Sequence, residues 1–395
     1  MQLKKFLYPI RSLILILILF LNCTQYTKYL PRPEEEVKDW IDNFARQKSF
    51  DYVYELKTRL VHIKGEGECI IGFGEHIRGI WESPESSYTF EYIGINDLEW
   101  AKIGRKWEES ARGEESDIFA QIKRMFEFDK FEYLGSEKDF YSYQFKANVP
   151  FLEPQRWREM TGFLQISKKN FLPTIIWAGL PDSSVYWYVK ISNINKEKKI
   201  IPPSIKILNY EITWDTLSIT VNEAFKKLKQ RLDLTSFEYQ LEKKKNLIIL
   251  KVPAYYQIAD LQEILKPGNF ICYGLTDNKS EAKRTVYLKD NPKKPLYVSV
   301  ELFNSEDIKG CEVKFDHLHK PYITVKLKKH IDFPTKIAYE LDGLVLGITT
   351  LDFSQKLNKI SIYPEMTYRQ INLLKGILIQ PLFTLDIKLA FKGSE

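Results

Sequence analysis

Alternation of apolar and polar residues marks the first half of the chain. Tyr52 and Tyr54 begin one such run, which continues to Leu60, and Tyr88 and Phe90 belong to another. A period of two places successive side chains on opposite faces of a strand. We therefore expect half-buried strands here and in three later runs, at 141–146, 160–166 and 185–191.

Two segments have the apolar spacing of amphipathic helices. Val37, Trp40 and Phe44 recur at helical intervals after Pro33. The second helix is predicted to begin at Ser116 and carries the apolar residues Ile118, Phe119, Ile122, Met125 and Phe126. Strands that follow one another without helices between them favour an antiparallel meander, so both helices are expected on its apolar face.

This order of elements resembles the lipoprotein-carrier fold shared by LolA, LolB and the LppX/LprG group. The pieces that carry the resemblance are Gly79-Ile80-Trp81, Gly104-Arg105-Lys106-Trp107 and Met160-Thr161-Gly162-Phe163. The resemblance covers residues 34–202. It implies an α+β domain in which an antiparallel half-barrel holds acyl chains between its concave face and its helices.

The half-barrel resemblance makes seven apolar residues candidates for the lining of a ligand cavity: Leu56, Leu60, Tyr88, Phe90, Tyr143, Phe145 and Trp187. The alternative is a dry core, because any half-buried sheet places such side chains inside. A pocket takes only part of an apolar face, so any single one of these residues fits the dry core more readily.

The second half of the chain has its own pattern. A capping box at Thr220 and Glu223 precedes a helical stripe. Two strands, a helix through Ile258 and Ile264, and a further strand at 269–275 follow. A last helix is expected to be capped by Thr367 and Gln370 and to end before Pro381-Leu382.

These elements resemble the first periplasmic domain of SecD, an accessory subunit of the protein-export channel. The matching pieces include Ile248-Ile249-Leu250-Lys251-Val252-Pro253 and Ile337-Ala338-Tyr339-Glu340-Leu341-Asp342-Gly343. The resemblance implies a ferredoxin-like α+β domain at 212–395, with a base at 212–275 and a head at about 276–395. A linker at 203–211 would join it to the first domain.

The membrane-coupled role of SecD does not transfer to this chain. No apolar run after Glu211 reaches the length that spans a bilayer. The resemblance leaves three roles open: binding of exported polypeptide, docking to the Sec translocon, or a purely architectural part.

The N-terminus has the pattern of a bacterial export signal. Lys4, Lys5 and Arg11 precede an apolar run from 13 to 21, which ends at Asn22-Cys23. The run is shorter than the roughly 18 to 20 apolar residues that span a bilayer. It resembles a lipoprotein signal, which implies a signal peptide at 1–22, lipidation of Cys23 and a tether at 23–33. An ordinary cleaved signal and an uncleaved anchor are the alternatives.

A lipid-anchored, exported protein works in the cell envelope, facing the periplasm or the exterior, without ATP or NADPH. Enzymes that need those cofactors are therefore disfavoured. Thr24, rather than Asp, follows Cys23. By resemblance to lipoproteins of bacteria with two membranes, this residue favours the outer membrane over the inner one.

Composition narrows the chemistry further. The formal net charge of the 395 residues is +6, and the charged residues are scattered, which does not favour nucleic-acid binding. No nucleophile elbow or dinucleotide fingerprint occurs, so neither an enzyme nor a cofactor is expected. Asp316, His317 and His319 are interpreted as a solvated turn rather than a metal site.

Three cysteines follow Cys23 in the sequence. Cys69, Cys272 and Cys311 are too widely spaced for a zinc site or a disulfide framework. An oxidising envelope permits a disulfide between Cys272 and Cys311, and this pairing stays open.

Together the patterns predict a membrane-anchored envelope lipoprotein that binds or carries an amphiphile, a lipid or a lipoprotein acyl chain, without catalysis. The alternative is an interaction protein that binds exported polypeptides or the Sec translocon through its SecD-like domain. The two hypotheses differ in the partner that would be recovered from cells.

Overall fold

The computed structural model describes the greater part of the chain after residue 32. Residues 1–32, which contain the predicted signal peptide, Cys23 and nearly all of the predicted tether, lie outside the described residues. The described ranges are 33–113, 116–126, 130–147, 160–214, 219–235, 237–288, 291–351, 354–382 and 388–394.

Eleven strands form one antiparallel sheet, named here the large sheet, in the order β6-β5-β4-β3-β2-β1-β11-β10-β9-β8-β7. The strands are β1 (Ser49–Lys57), β2 (His62–Ile70), β3 (Gly74–Glu82), β4 (Ser87–Ile95), β5 (Leu98–Ile103), β6 (Lys106–Ala111), β7 (Phe131–Ser136), β8 (Phe140–Lys146), β9 (Thr161–Ser167), β10 (Pro173–Gly179) and β11 (Tyr186–Ser192). Its edge strands β6 and β7 do not pair with each other. The predicted meander is therefore present, and its open arrangement is compatible with a half-barrel.

Two helices cover one face of the large sheet, named here the inner face. They are α1 (Pro33–Phe44) and α2 (Ile118–Met125). Val37 and Phe44 of α1 and Ile122 of α2 share one apolar core with Phe50 and Trp187 of the sheet. Both predicted amphipathic helices are confirmed, because their apolar stripes match the apolar side of the alternating strands.

A second, four-stranded sheet follows, in the order β13-β14-β12-β23. This base unit consists of β12 (Ile207–Thr213), α3 (Val221–Asp233), β13 (Gln240–Lys244), β14 (Leu247–Pro253), α4 (Ile258–Ile264) and β23 (Lys388–Ser394). The predicted capping box at the start of α3 is confirmed: Glu223 N donates to Thr220 Oγ1 at 3.3 Å, and Thr220 N donates to Glu223 Oε2 at 3.0 Å.

The remaining strands form the head unit, which is inserted between α4 and β23. A closed barrel and a three-stranded sheet share one apolar core with α5 (Tyr368–Ile379). The barrel strands are β15 (Phe270–Thr276), β16 (Arg284–Leu288), β17 (Asn291–Asn304), β20 (Lys336–Leu341) and β21 (Leu344–Thr350). The three-stranded sheet contains β18 (Ile308–Phe315), β19 (Pro321–Phe333) and β22 (Gln355–Ile362).

Two predicted boundaries differ from the structure. The predicted linker 203–211 runs into β12, and the predicted base 212–275 takes in most of β15, which belongs to the barrel. The base sheet is completed instead by β23 from the end of the chain. Pairing between strands so distant in sequence leaves no local pattern, which is why the sequence did not reveal it.

A buried arginine fixes the joint between base and head. Arg231 of α3 donates to the carbonyl oxygens of Ile264 at 2.9 Å, Pro267 at 3.1 Å and Gln380 at 2.7 Å. These carbonyls lie at the ends of α4 and α5, which have no intrahelical partners for their last carbonyl groups. Burial lowers the pKa of Arg231 to about 9. The side chain thereby ties three helices together.

The base unit packs on the outer face of the large sheet. Ile93, Ile95 and Trp100 point away from the inner face and share a core with Tyr255, which follows β14. Phe73, in the turn between β2 and β3, meets the Tyr255 ring at a centroid distance of 5.6 Å. The two halves of the chain therefore share apolar surface rather than being connected only through a linker.

A candidate ligand cavity on the large sheet

An open cavity of 320 Å³ lies between the inner face of β1–β5 and the beginning of α2. Its walls are mainly aromatic and apolar. The rings come from neighbouring strands: Tyr54, Trp81, Tyr88, Phe90 and Tyr92. Trp81 and Tyr88 stack with centroids 4.7 Å apart, and Ala101 and Ile118 complete the walls.

Glycines occupy inner-face positions of β2 and β3, the strands next to these walls. Gly65 of β2 and Gly79 of β3 are cross-strand partners. A Cβ on Gly79 would lie 2.9 Å from Phe90 Cε1, and a Cβ on Gly67 would lie 2.4 Å from Tyr52 Cζ. The rings therefore approach the backbone closely at positions where any side chain would collide with them. Glycine at these positions thus lets the Tyr52 and Phe90 rings pack directly against the backbone of β2 and β3.

A buried polar cluster holds the beginning of α2 against the sheet. Glu75 of β3 accepts hydrogen bonds from Tyr52 Oη at 2.9 Å, from Arg112 Nη2 at 2.6 Å and from Ile118 N at 3.2 Å. Arg112 also lies 3.2 Å from Asp117, and Asp117 caps the helix by accepting from Ala120 N at 2.8 Å. One carboxylate thus joins β1, β3, the segment after β6 and the first turn of α2.

Burial is the main influence on the protonation of this cluster. It raises the pKa of Glu75 from 4.5 to about 7, although the Arg112 guanidinium acts in the opposite direction. Burial also raises the pKa of Tyr52 and of Tyr54. Both phenols are therefore neutral at physiological pH, and the wall of the cavity that they form presents uncharged rings.

The structure separates the seven predicted cavity residues. Tyr88 and Phe90 line the cavity. Tyr143, Phe145 and Trp187 are buried in the part of the inner face that both helices cover, so for them the dry-core alternative describes the structure.

The two predicted residues on or near β1 also do not line the cavity. Leu56 is half-buried and packs at the margin of the same core. Leu60 is a correction: it follows β1 in the turn to β2 and is 71% exposed. β1 ends at Lys57, so the alternation does not continue to Leu60, and the prediction that Leu60 lines the cavity is wrong.

The polar cluster and the inner-face glycines of β2 and β3 were not among the predicted features. Glu75 and Arg112 are far apart in sequence and neither belongs to a motif. The glycines did leave a signal, because Gly65, Gly67 and Cys69 occupy the inner-face positions of β2, where the other strands carry larger apolar residues. Small residues on the apolar side of an alternating strand indicate a close approach or a space above the sheet.

The possible metal site and the possible disulfide of the sequence analysis do not belong to this cavity. Asp316 forms the turn between β18 and β19, where its Oδ1 accepts from Leu318 N at 2.9 Å and from Lys320 N at 2.8 Å. Within the described ranges, no group of three or more His, Cys, Asp or Glu residues is arranged to hold a metal ion. Cys272 and Cys311 are both free thiols, and the disulfide left open between them is not formed.

Comparisons with known proteins give only distant similarities. No protein-family model and no curated protein matches the chain. A crystal structure of SecDF in its super-membrane-facing form is 13% identical, with a TM-score of 0.34, and the match covers 47% of this chain and 30% of that chain. LprF from Mycobacterium bovis is 11% identical, with a TM-score of 0.34 and coverage of 43% of this chain and 96% of that chain.

A third solved structure, MucB in complex with MucA(peri), has a TM-score of 0.20 at 8% identity and covers 89% of this chain and 98% of that one. These TM-scores lie below 0.5 and the identities below 25%, so the similarities do not identify the family or the function. The match spans less than a third of the SecDF chain. Among the helices that the structure describes, none is both long and apolar enough to span a membrane.

Proposed function

We propose that this protein binds the apolar part of an amphiphile, a lipid or a lipoprotein acyl chain, in the cavity under α2, without catalysis. The observation that carries the proposal is the cavity itself, with 320 Å³ of space beside aromatic walls and the beginning of α2. Ligand pockets are typically about 300 to 1,000 Å³ and largely apolar. The space is at the lower end of that range, which fits one acyl chain better than several.

The sequence supports a location for this activity. The export pattern before Cys23 supports a lipid-anchored protein in the cell envelope, facing the periplasm or the exterior. The large sheet would then act as a LolA-like half-barrel held near a membrane. At the other end of the chain, the connectivity of the base, with β12 between β14 and β23, supports a ferredoxin-like base with an inserted head.

Lipid mass spectrometry tests the proposal. Protein without its signal, carrying Cys23→Ser, should retain lipid after purification and bind a fluorescent fatty acid. Ala101→Trp, which places a large ring in the cavity, should abolish both. Thr89→Trp is the matched control, since Thr89 lies on the outer face of β4 between Tyr88 and Phe90. A wild-type protein that is repeatedly empty and has no affinity for the fatty acid would contradict the proposal.

A second function, binding of exported polypeptides or the Sec translocon, is favoured by one feature of the base. β13 is an edge strand, and its residues are mostly exposed. An extended chain could add to such an edge through backbone hydrogen bonds. Crosslinking in cells separates the two functions, because this one requires Sec subunits or nascent exported chains among the crosslinked partners.

A further inference from the structure

A second cavity, separate from the one on the inner face, lies where the large sheet, the base and the head meet. It has a volume of 210 Å³ and is named here the junction pocket. The beginning of β1, the turn between β2 and β3, and residues 197–200 form one side. The segments before β13 and after β14 and the first turns of α5 form the other.

Aromatic rings supply most of the apolar surface of the junction pocket. Phe237 and Tyr256 stack with ring centroids 4.4 Å apart, and Phe73 lies 6.1 Å from Tyr256. Tyr368, at the start of α5, stands on the opposite wall. These rings come from the large sheet, the base and the head, so a ligand among them would touch all three units.

The cations around the pocket differ in how closely they are paired with carboxylates. Four cations line it, and three of them have a carboxylate partner: Lys198 pairs with Asp51, Lys199 with Glu238 and Arg369 with Asp260. The Lys48 and Arg369 side chains are only 26% and 22% exposed, whereas the Glu197 side chain is 95% exposed. Lys48 is therefore a largely buried cation whose carboxylate partner, Glu197, extends into solvent.

Lys48 and Arg369 are each placed beside an aromatic ring. Lys48 Nζ lies 5.7 Å from the centre of the Tyr368 ring, and the Arg369 guanidinium lies 5.3 Å from the centre of Phe73. Arg369 is also held by the Gly72 carbonyl at 2.6 Å and by Asp260 at 2.8 Å. Lys48 has the weaker ion pair, since its Nζ lies 3.8 Å from the Glu197 carboxylate, whose side chain is exposed. A ligand carboxylate could replace that contact.

Hydrogen bonds between the units keep the walls of the junction pocket in place. Gln47 Nε2, just before β1, donates to the carbonyl of His319 in the head at 2.7 Å. Tyr368 N donates to the Arg46 carbonyl at 3.2 Å. Asn195 Oδ1 accepts from Lys48 N at 2.7 Å, which fixes the segment that leads to residues 197–200. The walls of the junction pocket are therefore segments that hydrogen bonds join to one another.

We propose that the junction pocket binds a small carboxylate with an apolar or aromatic body. The carboxylate would contact Lys48, and the body would lie among Phe73, Phe237 and Tyr256. The volume of 210 Å³ is below the usual range for ligands of drug size, which selects a compact ligand over a long acyl chain. Because the ligand contacts both the large sheet and the base, its binding also stabilises their mutual arrangement.

Calorimetric titration of the full chain in mild detergent tests the proposal. The probes are 3-phenylpropionate, the neutral 3-phenylpropan-1-ol and propionate, which separate the charge from the ring. We expect 3-phenylpropionate to bind about tenfold more tightly than either of the others, the effect of one charge-assisted contact. Equal binding of the acid and the alcohol, or no binding of the acid, would overturn the proposal.

Substitutions locate the binding. Lys48→Met, which keeps the aliphatic stem, should weaken 3-phenylpropionate about tenfold, and Lys48→Arg should retain it. Lys57→Met is the matched control, because Lys57 Nζ likewise lies over a tyrosine ring, 5.9 Å from the centre of Tyr186, but away from the pocket. Unchanged binding by Lys48→Met would refute the site. Ala101→Trp should leave this binding intact, so failure of the amphiphile proposal and failure of this one are distinguishable.

Discussion

The inner face of the large sheet has two ends that share one sequence pattern and differ in structure. At the end formed by β7–β11, Tyr143 and Trp187 are fully buried beneath α1 and α2. At the end formed by β1–β5, Tyr88 and Phe90 stand beside a cavity. Both ends alternate aromatic and polar residues, so alternation indicates which face a residue occupies but not what lies against it.

The extent of helix coverage explains the difference between the two ends. Trp40 of α1 stacks on Tyr141 at 6.0 Å and on Phe171 at 5.3 Å, which closes the β7–β11 end. At the β1–β5 end Phe44 of α1 meets Phe50 of β1 at 5.1 Å, but beside the cavity the cover is only the beginning of α2. Close packing of a sheet face thus requires an element that covers it.

The largest expected effect on stability is at the β7–β11 end. Trp187→Ala should destabilise the protein by about 3 to 5 kcal/mol, since it leaves a void in a packed core and removes the 2.9 Å hydrogen bond from Trp187 Nε1 to Gln121. The measurement is urea denaturation followed by circular dichroism. Trp187→Phe is the control and should lose less. A cost below about 1 kcal/mol for the alanine variant would show that this end is loosely packed.

The polar cluster at the boundary of the two ends should make stability depend on pH. The folded state raises the pKa of Glu75 from 4.5 to about 7, so it binds the proton more tightly than the unfolded chain does. The stability contributed by Glu75 is therefore complete below about pH 4.5 and is lost as the pH rises to about 7. Above that pH it no longer changes.

Glu75→Gln tests this dependence, because glutamine does not titrate. Relative to this variant, the wild-type protein should lose on the order of 2 kcal/mol across that pH interval. The free energy of unfolding is measured at several pH values for both proteins. A constant difference between the two curves would mean that Glu75 titrates with an ordinary pKa.

Phe90→Ala should have a smaller effect than Trp187→Ala, although both remove an aromatic ring from the inner face. The Phe90 ring already borders open space, so its loss costs about 1 kcal/mol of buried apolar surface and creates little new void. Affinity for the fluorescent fatty acid should fall more clearly than stability does. A stability loss equal to that of Trp187→Ala would make the two ends alike.

The smallest effect is expected for Tyr143→Phe. Among the described residues, the buried Tyr143 hydroxyl has no hydrogen-bond partner. Removing it should leave stability unchanged or raise it by up to about 1 kcal/mol. Tyr52→Phe is the matched control, since the Tyr52 hydroxyl donates to Glu75 at 2.9 Å and its loss should cost about 1 kcal/mol. A loss for Tyr143→Phe as large as that of the control would contradict the expectation.

The sequence predicted the helices and strands of the fold but only part of the cavity lining. Apolar spacing correctly predicted α1 and α2, and the capping residues Thr220 and Thr367 precede α3 and α5 as expected. These signals depend on residues that are close together in the sequence, so they can be recognised from the sequence alone. The order of the base strands depends on β23, which pairs with β12 across most of the second half of the chain.

Local chemistry in the sequence determined the alternating strands, the two helix faces and the aromatic character of the inner face. Only the tertiary structure decided that Tyr88 borders a cavity while Tyr143 is buried, that Glu75 meets Arg112, and that three units enclose the junction pocket. The physical reason is that side-chain periodicity depends on the backbone geometry of each residue, whereas empty space depends on what distant segments leave unfilled.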